Sequence, residues 1–303
     1  MRHWIVSLFT TLVLLGASAC GLGSNPLSAG EGGGDPNTIV VGSANFQESQ
    51  LLATIYAQAL RDRGLNVQER FNIASREAYV PGLTDGSIDL IPEYSGALLQ
   101  HLKPETSAQT REEVLAELKT AVPKGTVALN ASSAENKDVL TVSRETAERY
   151  NLKTISDLKP HAANLTLGGP PEWKTRQNGV VGLEKVYGLH FKSFAPLDAG
   201  GPLTVSALTN GQIDVADLFS TDPAISDHDL VTLQDDQELF LPENILPLAN
   251  SSKVTPRVAE TLNAISAQLT TDQIRSMIRR VVTERENPKT VAREWLHHAA
   301  LPA

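Results

Sequence analysis

The apolar positions of the chain fall into two units, each alternating short β-branched runs with helical stretches. "TIVVGSANF" (38–46) is a short run of the kind that fills a buried strand. In "QESQLLATIYAQALRDRG", Leu51, Leu52, Ile55, Ala59 and Leu60 share one face at helical spacing, and Gly64 suits the position just past the helix end. "LNVQERFN" predicts a second strand. A further helix leads to Leu83, Gly86 breaks it, and "SIDLIPEY" predicts a third strand. This order predicts a mainly parallel sheet covered by helices.

After a polar helix, "TREEVLAELKTAV" (110–122), the pattern restarts. "KDVLTVSR" predicts a strand, "TISDLK" a short capped helix, and "NLTLGGPPEW" a strand running into a Gly/Pro turn. A helix is expected over roughly 176–187, ending near Gly188, and "LVTLQDD" and "ILPLANS" read as strands. The tail predicts three helices, the last with Asn287 as N-cap and Pro288 in its first turn.

One phrase occurs in both units: "LTDGSIDLIPEY" (83–94) and "LTNGQIDVADLF" (208–219). In each, a glycine stops a helix, Ile-Asp enters a strand, and a ring, Tyr94 or Phe219, closes it. Open α/β sheets bind ligands at the C-terminal ends of their parallel strands. A lone aromatic more often packs in a core. The matched position in two similar units instead predicts a cleft that receives one ring from each side.

Composition narrows the function. The chain has 303 residues and a net charge of −9, with no basic stripe. Nucleic-acid binding is excluded, since its dominant phosphate contacts have nothing to act through. A short basic start precedes the apolar run "WIVSLFTTLVLLGASA" and Cys20, the only cysteine. This reads as an export signal over 1–20. "LGASAC" resembles a bacterial lipobox, although Ala17 stands where that pattern prefers Leu. The resemblance implies lipidation at Cys20; the other reading is ordinary cleavage with an idle thiol. Residues 21–37 are Gly/Ser/Pro-rich and predict a flexible tether.

Catalytic signatures are missing: no nucleophile elbow, phosphate-binding loop or zinc-helix motif occurs. His297 and His298 are adjacent, so on a helix they point about 100° apart and form no i,i+4 metal pair. Asp222, Asp227 and Asp229 fit a solvated capping loop better than a calcium site. No catalytic residue, metal or cofactor is expected, and the protein is not expected to be an enzyme.

"VGSANFQESQLLA", "GSIDLIPEYSGALL", "TISDL", "FSTDPAISDHDLVTLQDDQELFLPEN" and the helical tail together resemble the substrate-binding proteins of osmoprotectant ABC transporters, over 38–303. The resemblance implies an α/β, two-lobed periplasmic-binding-protein fold (type II-like), each lobe a mainly parallel sheet with flanking helices. It implies a ligand of the glycine betaine, choline or carnitine class in an interlobe cleft, delivered to an ABC permease and its ATPase. It also implies an exported, membrane-anchored, monomeric protein. One lobe would comprise 38–136 with 245–303 and the other 137–244, with chain crossings near 135–138 and 240–246.

In that family a trimethylammonium head sits among aromatic rings, held by cation–π attraction worth about 0.5–2 kcal/mol per ring. Tyr94 matches the first such ring, and Phe219 falls where the family usually has Tyr. Asp138 and Asn244 stand where two further rings are expected, and Arg176 matches an arginine expected to hold a carboxylate. Ala44 replaces a usual Lys and Ala97 a usual Thr. Two ligand readings follow. In one, Asp138 supplies a formal charge in place of a ring. In the other, Asp138, Asn244 and Arg176 hydrogen-bond a more polar or larger molecule. A receptor-like or structural lipoprotein without transport is the reading from another class. Trp173 is left open between lining the cleft and covering a lobe. Tyr187 is expected to pack, and Glu93 to face the opposite lobe.

Overall fold

A computed structural model describes residues 37–299 and 301. The expected signal, Cys20 and nearly all of the tether lie outside the described residues.

Ten strands form two sheets. They are β1 Thr38–Gly42, β2 Asn66–Arg70, β3 Leu90–Tyr94, β4 Thr126–Ala128, β5 Asp138–Val142, β6 Thr166–Gly169, β7 Ser193–Pro196, β8 Val215–Phe219, β9 Val231–Thr232 and β10 Ile245–Asn250. The first sheet runs β2-β1-β3-β10-β4 and the second β7-β6-β8-β5-β9. β2-β1-β3 and β7-β6-β8 are parallel, and the remaining pairings are antiparallel. The sheets are therefore mixed, where a mainly parallel arrangement was expected. The physical reason is the route of the chain. β5 and β10 are the strands entered from the other lobe, so no βα crossover forces them parallel.

Both lobes use the repeated phrase in the same way. Gly86 and Gly211 end their helices with φ of +80° and +69°, a backbone that glycine adopts without strain. Asp89 Oδ2 accepts from the Val40 amide at 2.8 Å, and its own amide donates to Val40 O at 2.8 Å. Asp214 does the same with Thr166, at 2.8 and 2.9 Å. Each aspartate thus stitches the third parallel strand onto the start of the first, β1 or β6.

The helix Gln47–Asp62 anchors the first core through Leu51, Leu52, Ile55 and Leu60. It packs against the tail helices Pro256–Gln268, Thr271–Val282 and Pro288–Ala299. Gly64 closes it at φ +74°, and Asn287 accepts from the Lys289 amide at 2.9 Å, as an N-cap should. The polar helix Arg111–Ala121 starts on a Thr110–Glu113 capping box. No described helix is long and apolar enough to cross a membrane.

Two expected elements differ. The helix expected over 176–187 starts later, after a 3₁₀ turn at Pro171–Lys174, as a short α segment (Val180–Gly182) continued by a π turn (Leu183–Tyr187) that ends at Gly188. The chain doubles back here: a Cβ on Gly179 would lie 2.0 Å from Trp173 O, and one on Gly182 1.9 Å from Gln177 O. That tight return is incompatible with a long helix, and it holds Trp173 in place. The "LVTLQDD" strand is reduced to Val231–Thr232, with one isolated bridge from Gln234 to Thr154.

Candidate functional site: an interlobe cavity

A cavity of about 380 Å³ lies between the two sheets, at the C-terminal ends of β1, β3, β6 and β8. Phe46, Arg76, Tyr79 and Tyr94 line it from the first lobe. Asp138, Trp173, Arg176, Asp217 and Phe219 line it from the second, and Glu243 lines it from a chain crossing.

The repeated rings meet there through a third. Phe46 lies 5.9 Å from Tyr94 and 5.0 Å from Phe219, ring centre to ring centre. Phe46 ends the loop between β1 and the first helix and links the rings of the two lobes. It stands in "GSANF" and could have been found from the same edge-of-sheet reasoning. Gly200, at φ +60°, passes so close to Phe219 that a Cβ would sit 2.9 Å from the ring. Trp173 is 1% exposed and stacks on Phe240 at 6.5 Å, which places it in the cavity wall.

Glu93 is satisfied within the first lobe. Glu93 takes Arg76 through both its oxygens (2.9–3.2 Å), the Tyr79 hydroxyl (2.8 Å) and the Tyr94 amide (2.8 Å). Glu93 therefore does not face the opposite lobe: Arg76, of its own lobe, holds it. Glu48 is likewise buried. It accepts from Tyr94 (2.8 Å), Asn136 (2.9 Å) and Thr221 (2.6 Å), joining a ring, a crossing and the second lobe. Burial raises its pKa despite those donors.

The second lobe's acids are different. Asp138 accepts from Asn178 at 2.7 Å. Asp217, on the same sheet face, has an Oδ1 with no hydrogen-bond partner among the described residues. Burial raises both pKa values, and for Asp217 the neighbouring Asp138 adds to it. The Trp173 indole N–H lies near enough to Asp138 to favour its charge, yet completes no hydrogen bond. Glu243 is pushed up to about 8 by burial and by Asp138.

Arg176 reaches across the cleft. It binds Glu77 of the first lobe at 3.0 and 2.8 Å and holds that carboxyl near 2 against the effect of its partial burial. With Glu48–Thr221 and Arg279–Asp227 (2.8 Å), it bridges the two lobes.

Tyr94, Asp138, Arg176 and Phe219 thus share one cavity, whereas Asn244 does not join them. Asn244 is buried at the crossing. Its amide donates to Ser95 Oγ at 2.9 Å, and its side chain donates to Ser132 O at 3.2 Å. Neighbouring residues of an extended segment face opposite ways. Glu243 points into the cavity, so Asn244 points out of it. Tyr187 packs as expected, with its hydroxyl on Asp235 and the Gln237 amide. Asp222 caps the Ala224 amide, Asp227 holds Arg279 and Asp229 holds Arg144, so the three acids have separate structural jobs.

The family model described as the substrate binding domain of the ABC-type glycine betaine transport system matches residues 37–298. The chain belongs to this family. It is an extracytoplasmic substrate-binding protein of an ABC importer, binding a small ligand and working with a permease; it is not an enzyme. The carnitine transport binding protein OpuCC of Listeria monocytogenes is 28% identical over 98% of this chain and 97% of its own length. The ergothioneine transport permease/ergothioneine binding protein EgtU of Helicobacter pylori is 25% identical over 87% of this chain and 48% of its own. A crystal structure of a glycine betaine/carnitine/choline ABC transporter protein superposes with a TM-score of 0.66 at 25% identity, covering 86% of this chain and 99% of that one.

Proposed function

We propose that the imported ligand is a quaternary ammonium compound held in the interlobe cavity. The observation that carries this is the meeting of Phe46, Tyr94 and Phe219 beside Asp138, which the strand register sets directly opposite Phe219. Rings attract a cation through their faces, and a buried carboxylate beside them favours the same charge. Tyr94 and Phe219 supply faces from the two lobes, and Asp138 supplies the counter-charge.

Arg176 and Arg76 are already paired with Glu77 and Glu93, while Asp138, Asp217 and Glu243 have no bidentate partner. This balance favours a cation such as choline. A zwitterion such as carnitine or glycine betaine is the second reading, favoured by Arg176 in the cavity wall, where a ligand carboxylate would compete with Glu77. The volume also admits a larger quaternary amine such as ergothioneine.

Delivery to a permease with its ATPase, anchoring through Cys20 and a monomeric state complete the reading. The lobes are read as 38–136 with 245–303, and 137–244. The hinge is read as the two adjacent crossings, where Glu135 bridges Asn244 and the Asn136 amide donates to Glu243 O at 3.1 Å. Ligand contact with both lobes favours the closed form.

Calorimetric titration with choline, carnitine, glycine betaine and ergothioneine tests the ligand. Heat from at least one, lost in Tyr94→Ala and Phe219→Ala, is the expected result. No heat from any of the four at millimolar concentration overturns it.

A further inference from the structure

Three carboxylates gather in the cavity without a cation of their own. The strand register sets Asp138 opposite Phe219 and Leu140 opposite Asp217, so Asp138 and Asp217 are diagonal neighbours on one face of the second sheet, about 7–8 Å apart. Glu243 joins them from the chain crossing, and all three line the cavity. Asp217 and Glu243 are 1% and 2% exposed. Hydrogen bonds do not offset these charges. Asp138 accepts from Asn178 at 2.7 Å and Glu243 from the Ala97 amide at 3.0 Å, while Asp217 Oδ1 has no partner among the described residues.

The charged groups that face the three acids are committed elsewhere. Arg76 acts through space on Asp138 and Glu243 but holds Glu93. Arg176 acts through space on Asp138 and Asp217 but holds Glu77, with Glu172 3.8 Å away. Asp198 takes the Leu203 and Thr204 amides at 3.1 and 2.8 Å, and His101 faces Glu77 from 3.9 Å. Tyr79 and Tyr94 donate their phenol protons to Glu93 and Glu48. A buried carboxylate without a counter-charge is neutralised by a proton instead, and neighbouring acids share such protons. Burial raises the pKa of all three acids, and Asp138 raises those of Asp217 and Glu243 further, Glu243 to about 8.

A quaternary ammonium changes this balance. It has no proton to lose or donate, so it is matched only by charge. Seated on Phe219, it lies beside Asp138, directly opposite that ring, and two residues along the strand from Asp217. Positive charge there favours the ionised acids. We propose that Asp138, Asp217 and Glu243 form a proton-exchange site: the free protein keeps a proton in the cluster, and a cation entering the cavity drives it out into solvent. Affinity therefore rises with pH while the free cluster still holds its proton, and levels off once the cluster is ionised without ligand, near pH 8 for Glu243. This rests on the quaternary-ammonium reading above.

The test is calorimetry on the whole protein with choline, carnitine, glycine betaine and ergothioneine, none of which titrates around neutral pH. Heats in phosphate and in Tris, whose ionisation enthalpies differ, count the protons exchanged. Release of about 0.5–1 proton per ligand is expected at about pH 7, with affinity rising about 3- to 10-fold per pH unit between about pH 6 and 8. Asp217→Asn and Glu243→Gln each keep the shape and remove one titrating group, and the double variant should release less than about half of the wild-type count. Where the double variant binds too weakly to titrate, the infrared band of protonated carboxyls decides: it should weaken in the free double variant and, in the wild type, on adding ligand. Binding without proton release, or a release or infrared band that the double variant leaves unchanged, overturns the proton-exchange site and leaves the quaternary-ammonium reading standing. No binding by any of the four compounds overturns both.

Discussion

The two lobes write nearly the same phrase and treat its acids in opposite ways. In the first, Glu93 precedes the ring of Tyr94 and is closed off by Arg76, Tyr79 and a backbone amide. In the second, Asp217 stands two residues before the ring of Phe219 with a buried oxygen left open. The backbone role of the phrase is duplicated down to Asp89 and Asp214, which make the same pair of bonds to the neighbouring strand. The first lobe's polar network therefore fixes the shape of the cavity. In the second lobe, Asp138 has Asn178, but Asp217 keeps a buried oxygen with no partner among the described residues. Stability and recognition have been divided between two copies of one motif.

The sharpest way to break this contrast is to remove one partner on each side. Arg76→Met strands Glu93 in the first lobe and should cost about 3–5 kcal/mol of apo stability. Asp138→Asn replaces an acid whose pKa burial already raises, so apo stability should hold or rise while ligand binding falls. Thermal melts of the two apo variants decide it, and a fall of similar size in both would mean that the lobes are not divided in this way.

The second test is pH. Glu243 titrates near 8 when folded and near 4.5 in an ordinary setting, so between those values the folded protein holds a proton that the unfolded chain has lost. Its contribution to stability is complete below about pH 4.5 and is lost as pH rises through 8. The apo melting temperature should accordingly fall from pH 5 to 8, and Glu243→Gln should flatten that slope. Glu77, held near 2 by Arg176, acts with the opposite sign and only at lower pH. A melting temperature that climbs from pH 5 to 8 would contradict the assignment.

Glu48→Gln probes the tie between the lobes. It keeps one acceptor for three donors, so it should cost about 1–3 kcal/mol and weaken ligand binding through Tyr94, readable by melting and titration. The smallest effects belong to the glycines. Gly86→Ala and Gly211→Ala meet no atom within 4 Å, so each should cost about 1–2 kcal/mol for its left-handed backbone alone, and equally in the two lobes. Unequal costs in urea unfolding would show that the two copies are not equivalent.

Much of this was legible in the strand and helix periods. The two α/β units, the helix ends at Gly64, Gly86, Gly188 and Gly211, and the delivery of Tyr94 and Phe219 to one edge all follow from local pattern. The site was only partly legible. Phe46 was overlooked although it closes the loop after β1, the same kind of strand end. Asn244 was placed one residue away from Glu243, whose side chain enters the cavity. In a loop, nothing in the sequence says which of two neighbours faces inward. The pairing of Arg176 with Glu77 joins residues 99 apart in the chain, and no spacing rule reports such a contact.

The sequence by itself determined what depends on near neighbours: two copies of a strand–helix unit, glycines where the backbone must turn left-handed, and a ring at each third strand's end. The tertiary structure decided what depends on burial. Glu93 and Asp217 are both acids beside a ring, and composition cannot distinguish them. Only the fold places a guanidinium and a phenol around one and leaves the other buried with an oxygen that has no partner among the described residues. A charge in a low-dielectric interior takes its meaning from what surrounds it within a few ångströms, and those surroundings come from distant parts of the chain.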